Sequence, residues 1–308
     1  MSYYEKEYKK RLLLGQGNNA LITLIAINMV LFVILAFIKA VFHLRFENSA
    51  AAVNSFNDSV MTWFALPADV SKIAAKPWTI LTHMFVHEGL WHVFANMLWL
   101  WMFGYILQDL TGNRKIFPVF LYGALAGALA FVLAYNFLPG LKPALHGQSA
   151  LGASAGVMAI AVATTTIAPG YRIFPMLNGG IPLWIITGIY LVIDLATIPG
   201  GNTGGHIAHL AGALAGFLFM YAYRQGHDLG AWINNLFDWF INLFNPDKPQ
   251  KDNSLKHEHF YKATTEPYKK TPNVTEQRID EILDKINQKG YNSLTEEEKD
   301  LLKRASQR

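Results

Sequence analysis

LITLIAINMVLFVILAFI, residues 21–38, runs for eighteen residues without a charged side chain. A helix of that length covers about 27 Å, close to the roughly 30 Å of hydrocarbon in a bilayer. It is too long for the apolar core of a signal peptide, and no small-residue cleavage site follows it. It is therefore read as a retained span. Further apolar stretches lie at about 90–108, 116–138, 151–168, 181–198 and 206–223, which brings the expected number of spans to six. The fourth and the last are rich in glycine and alanine rather than leucine, which predicts that they pack inside a bundle.

Composition points the same way. The 308 residues are 52% hydrophobic and only 16% charged, as expected for a multi-span membrane protein. The absence of cysteine excludes disulfides, thiolate chemistry and cysteine zinc sites. A net charge of +4 invites a nucleic-acid partner, but the basic residues sit beside the apolar spans or in the polar tail, where membrane orientation explains them; no nucleic-acid partner is expected. Lys6, Lys9, Lys10 and Arg11 precede the first span, and placing them inside gives inner segments a modest basic excess. Both termini are then cytoplasmic, and the N-terminal ends of the second, fourth and sixth spans lie together near the outer surface.

The expected organisation is a cytoplasmic N-terminal segment (1–18) and a six-span domain (19–225). An interfacial amphipathic helix (226–246), a polar linker (247–272) and a cytoplasmic helical hairpin (273–308) follow. In DLGAWINNLFDWFINLFN (228–245), Trp232, Ile233, Leu236, Trp239, Phe240, Leu243 and Phe244 form one apolar stripe, with Asn235, Asp238 and Asn242 facing away. Packing of this helix against the inner face of the bundle is the alternative. In the tail, Asn273 with Glu276 and Ser293 with Glu296 have capping-box spacing, and Gly290 is a helix stop. So short a hairpin has little core, so it is expected to dock on an unknown cytoplasmic partner or surface.

Two small-residue stretches carry the chemistry. ALGASAGV (150–157) sets Ser154 between Gly152 and Gly156, and GHIAHLAGALAGF (205–217) places Gly212 and Gly216 after His209. Each alone reads as an ordinary helix-packing seam. Together they do more, because a serine needs a base within about 3 Å to become a nucleophile, whereas helices with ordinary side chains pack 8–10 Å apart. Glycine on both helices lets the backbones close that gap. A Ser154–His209 dyad needs no carboxylate if packing orients the imidazole. The helix N-terminus at Ser154 offers backbone N–H donors for an oxyanion, and His92 with Asn96, four residues apart, can add side-chain donors.

These motifs resemble the rhomboid family of intramembrane serine proteases over roughly residues 19–223. GASAG (152–156) resembles the family's nucleophile motif, AHLAGALAG (208–216) its final-span motif, and HEGLWHVFAN (87–96) its second-span histidine and asparagine. Trp78 matches the tryptophan of the family's Trp-Arg pair in the first loop. The resemblance implies an all-α membrane protein built as a six-transmembrane-helix bundle. It makes Ser154 the nucleophile and His209 the base, with His92 and Asn96 at the oxyanion site and transmembrane proteins in the bilayer as substrates. It requires no cofactor and no metal. Three positions depart from the pattern: Thr79 stands where the arginine is expected, Ala155 follows the serine, and Met158 stands where some members place a tyrosine.

Other classes make different use of the same residues. His83, His87, His92, His206 and His209 could gather at the outer surface as a metal site, with Glu88 a weak further ligand. HEGLWH is nonetheless not the zinc-protease HExxH, since its histidines are five apart. A non-catalytic rhomboid-like binder of membrane clients is a further alternative, although such proteins usually lack the serine or the histidine. Asp194, near the outer end of the fifth stretch, has no assigned role beyond capping or hydrogen bonding. The glycines of GGNTGGH (200–206) suggest a mobile cover over the site.

Overall fold

A computed structural model describes residues 19–174, 176, 179–243 and 276–305 of the chain. The expected N-terminal segment (1–18) and linker (247–272) lie outside the described residues, as do Phe244 and Asn273. The chain divides after Asn245 into two compact units.

The first unit opens with α1, Ala20–Arg45, whose Asn19 side chain accepts from the N–H of Ile22 and caps the helix. A long loop follows and folds into α2 (Ser49–Ser59), β1 (Leu66–Pro67), α3 (Val70–Ala75) and α4 (Thr79–Thr82). Next come α5 (Leu90–Thr111), α6 (Ile116–Phe137), β2 (Ser149–Ala150) and α7 (Ser154–Ile167). A short hairpin of β3 (Arg172–Ile173) and β4 (Ile181–Pro182) leads to α8 (Leu183–Thr197), α9 (Thr203–Arg224) and α10 (Ala231–Leu243).

Four of these helices are long and apolar enough to cross a bilayer: α1, α5, α6 with its leading turn, and α9. The stretches expected at 151–168 and 181–198 form shorter helices of 14 and 15 residues. The reason is local. Leu151, Gly152 and Ala153 are used in the connection from β2, and Ile181–Pro182 pairs with Arg172–Ile173.

Helix α7 is the hub of the bundle. Residues Ala155 to Ala161, with Ala163 and Thr164, are buried against α5, α6 and α9. Its small side chains make this possible. A Cβ at Gly212 of α9 would strike the carbonyl oxygen of Ala155, and one at Gly216 that of Ala159. Helix α9 is buried toward both α7 and α6, while Leu214 and Leu218 are exposed away from them. Helix α1 lies at the rim, with Val30, Val33, Ile34 and Phe37 turned outward.

Two of the glycines expected to form the α7–α9 seam do something else. A Cβ at Gly156 would strike the Phe120 ring and backbone of α6, so Gly156 packs on a different neighbour. Gly152 precedes the helix and serves the loop instead.

At the end of the bundle opposite Ser154, α10 docks through polar groups. Arg114 pairs with Asp238 at 2.7 Å, the Asn234 side chain donates to the Arg114 carbonyl, and Lys115 pairs with Asp228. Asp238 was expected to face away; it faces Arg114 because a basic pair begins the turn before α6. Ile233 is buried, while Trp232, Leu236, Trp239 and Leu243 keep an exposed apolar face.

The second unit contains α11 (Glu276–Lys289) and α12 (Glu296–Ala305), with Ile282 and Leu294 buried. Gly290 follows α11 at φ +80°, as a helix stop. The capping box is Thr295 with Glu298, not Ser293 with Glu296. The Thr295 N–H donates to the Glu298 carboxylate at 2.8 Å, and the Glu298 N–H to the threonine hydroxyl at 3.4 Å. Ser293 instead sits in a 3-10 turn.

Candidate active site

The connection before α7 is fixed from outside the helix. β2 pairs antiparallel with β1, joining Leu66 to Ala150 and Pro67 to Ser149, so the first loop and the approach to Ser154 form one piece. The Gly152 N–H donates to the His83 carbonyl at 2.9 Å, and the Ala153 N–H to His87 Nε2 at 3.4 Å. Gly152 has φ +112°, and a Cβ there would lie 2.7 Å from His92 Nε2. Backbone conformation and the neighbouring imidazole both demand glycine at this point.

This loop places Ser154 at the first residue of α7. His209 is the seventh residue of α9. The two meet, with Ser154 Oγ 2.7 Å from His209 Nε2. On the far side of the ring, His209 Nδ1 lies 3.0 and 3.2 Å from the two carboxylate oxygens of Asp194. A carboxylate only accepts, so Nδ1 carries the proton and Nε2 is left to accept from the serine hydroxyl. Asp194 Oδ1 also accepts from His206 Nδ1 at 2.7 Å. Asp194 is 3% exposed, so both bonds are made away from bulk water.

His92 and Asn96 line the same cavity as Ser154 and His209, a recess of about 740 Å³ that also reaches Gln148, Tyr190 and Asn202. The Asn96 amide donates to the His92 carbonyl at 2.9 Å. The first intrahelical bond at this end of α7 runs from the Val157 N–H to the Ala153 carbonyl. The N–H groups of Ser154, Ala155 and Gly156 therefore precede it, at the positive end of the helix dipole.

The other histidines are placed differently. His83 and His87 are buried in the first loop, and burial draws His83 down to about 4 and His87 to about 3, so both are neutral at pH 7. His87 packs edge-on to His92 with ring centres 5.0 Å apart. Thr79, at the expected arginine position, is fully buried and its hydroxyl donates to the Lys76 carbonyl. Trp78 donates to the Trp63 carbonyl and stacks on that ring, and Lys76 Nζ lies 4.3 Å from the centre of the Trp63 ring. Met158 is completely buried.

The glycine-rich 200–206 stretch is partly the first turn of α9. Asn202 caps that turn by accepting from the Gly205 N–H, and Gly204 is wedged against Phe131 and Tyr135. The missed residue is Asp194. A lone carboxylate in an apolar stretch was the available signal.

Residues 74–226 match the Rhomboid domain, and the chain is a rhomboid family protein, integral to a membrane. Residues 266–308 match a family of unknown function, DUF6576. Among curated proteins the chain is similar to Rhomboid protease GlpG of Serratia proteamaculans (strain 568), 23% identical over 182 residues, 54% of each chain. It is also similar to Rhomboid protease GlpG of Pectobacterium atrosepticum, at 24% over 181 residues, and to the mitochondrial RHOMBOID-like protein 12 of Arabidopsis thaliana, at 27% over 160. These matches cover 53% and 48% of this chain and 54% and 47% of the relatives, respectively. The chain thus spans about half the length of the curated relatives it matches.

Proposed function

We propose that this protein is an intramembrane serine endopeptidase that cleaves transmembrane or membrane-adjacent segments of membrane proteins. The observation that carries the reading is the 2.7 Å contact between Ser154 Oγ and His209 Nε2, on the wall of a polar recess within a Rhomboid domain. His209 takes the hydroxyl proton as Ser154 attacks the peptide carbonyl, forming a tetrahedral oxyanion. The amides at the start of α7, with His92 and Asn96, supply donors for that charge. His209 then gives its proton to the leaving amine, and a water activated by the same imidazole hydrolyses the acyl-serine. A peptide bond within a helix is shielded by its own backbone bonding, so unwound segments with small side chains are the preferred substrates.

In this reading α7 and α8 complete a six-span bundle, both termini are cytoplasmic, and the recess opens to the outer face. The exposed apolar face of α10 lies in the membrane interface, and residues 273–308 bind a cytoplasmic partner.

The metal alternative has its own geometric footing. Asp194, His206 and His209 offer ligand atoms within 4.8 Å of one another, the one such group among the described residues. His83, His87 and His92 do not join it. Ligands about 2.0–2.2 Å from a tetrahedral zinc lie roughly 3.3 Å apart, whereas Asp194 Oδ1 and His206 Nδ1 are at 2.7 Å, the spacing of a direct hydrogen bond.

The test uses purified protein in liposomes with a reporter transmembrane substrate. Ser154→Ala and His209→Ala should each abolish cleavage without loss of folding, and chelators should change nothing. Cleavage that survives Ser154→Ala but stops on chelation would establish the metal reading. Substrate binding without cleavage by the unaltered protein would establish the client-binding one.

A further inference from the structure

We infer that Asp194 is the positioning residue of the Ser154–His209 pair, so that the site works as a three-member relay rather than as a dyad oriented by packing alone. The inference deepens the proteolytic reading and rests on it.

Geometry supplies the first argument. Asp194 meets His209 at Nδ1, opposite the nitrogen that meets Ser154, with both carboxylate oxygens within 3.2 Å. An imidazole free to rotate about χ2, or protonated at Nε2, would not present a lone pair to the hydroxyl. The carboxylate excludes both states, because it accepts only from a protonated Nδ1. It also stabilises the imidazolium formed when Ser154 gives up its proton.

Burial supplies the second. Asp194 is enclosed on a helix whose neighbouring residues Ile193 and Leu195 are exposed and apolar. A carboxylate in such a segment is costly unless partnered, and its partners here are two imidazoles one helical turn apart on α9. Capping is not the explanation, since Asp194 lies inside α8 and its side chain points to another helix. His206 binds the same oxygen as His209, and Thr197 Oγ1 lies 3.3 Å from His206 Nδ1, so the carboxylate is held from a second side. The other titratable groups facing this cluster are His92 on α5 and Tyr190 on α8.

The experiment compares full-length protein with Asp194→Asn, Asp194→Glu, His206→Leu and Ser154→Ala in liposomes. Initial rates against a reporter transmembrane substrate are taken from pH 5 to pH 10. In Asp194→Asn, kcat should fall roughly 10- to 1,000-fold with KM changed by less than about threefold, because an amide can donate to Nδ1 and so favours the wrong tautomer. The acidic limb of its rate profile should move to lower pH, as the imidazole loses the anion that favours its protonated form. Asp194→Glu should recover part of kcat and restore the limb.

An Asp194→Asn enzyme with kcat within about twofold of the unaltered protein and an unmoved limb, while Ser154→Ala is inert, overturns the inference and leaves the protease reading standing. If the unaltered protein does not cleave, or Ser154→Ala cleaves equally well, both fall. Should Asp194→Asn fail to fold, His206→Leu decides. It leaves the carboxylate to His209 alone, so the acidic limb should move to higher pH; an unmoved limb overturns the inference.

Discussion

Single atoms decide the geometry of the recess. A Cβ at Gly212 meets the backbone of Ala155, the residue after Ser154, and backbone cannot swing aside as a flexible side chain can. Gly212→Val should therefore push α9 off α7, destabilising the protein by about 1–3 kcal/mol. A shift of the pair by about 1 Å should cut cleavage roughly a hundredfold, measurable with the reporter substrate. His83 gives a second prediction. It is held neutral in the fold with its value near 4, against 6.5 when unfolded. The unfolded chain then binds the extra proton, so stability is full above about pH 6.5 and declines as pH falls toward 4. His87 acts in the same direction down to about 3. Each group contributes up to about 1.4 kcal/mol per pH unit across its window. Melting in detergent should follow this slope, and His83→Asn, which keeps a donor for the Thr79 carbonyl, should flatten it.

Elements were legible to different degrees. Charge-free length announced α1, α5 and α6, because hydropathy over a span is a sum and tolerates local exceptions. The starts of α7 and α9 were not readable to the residue, since nothing in GASAG says that Gly152 leaves the helix for a positive φ. Asp194 was visible as a lone carboxylate but could not be matched to His209. Their meeting depends on how the Thr197–Thr203 connection turns, and neither helical nor strand periodicity crosses it. The phase of Gly156 was ambiguous for a similar reason, as a helix flanked by two small-residue neighbours has a seam on each. The apolar stripe of α10 is legible in the sequence, whereas the polar contacts of Asp238, Asn234 and Asp228 that dock it are not. Its exposed stripe gives a prediction: Trp239→Phe should remove part of the quenching of tryptophan fluorescence by brominated lipids, without lowering stability by more than about 0.5 kcal/mol. Lys115→Met should instead cost about 1 kcal/mol, because it strips Asp228 of its partner at a partly solvated site.

At the scale of the molecule, every residue placed at the site belongs to the unit ending at Asn245. The chain shortened to residues 1–245 should keep its cleavage rate within about twofold in liposomes, as expected of a separately folded domain. A loss of activity would show that the hairpin contributes to turnover as well as to its own partner. The short α7 bears on the whole assembly in another way. Its 14 residues rise about 21 Å, against about 30 Å of hydrocarbon. A helix of that length anchored at one boundary ends about 9 Å short of the other, and Ser154 is its terminal residue. If α7 crosses the bilayer as proposed, the helix acts as a depth gauge: a thicker bilayer buries the hydroxyl farther from bulk water, and the bond cleaved in a bound span should shift with lipid chain length.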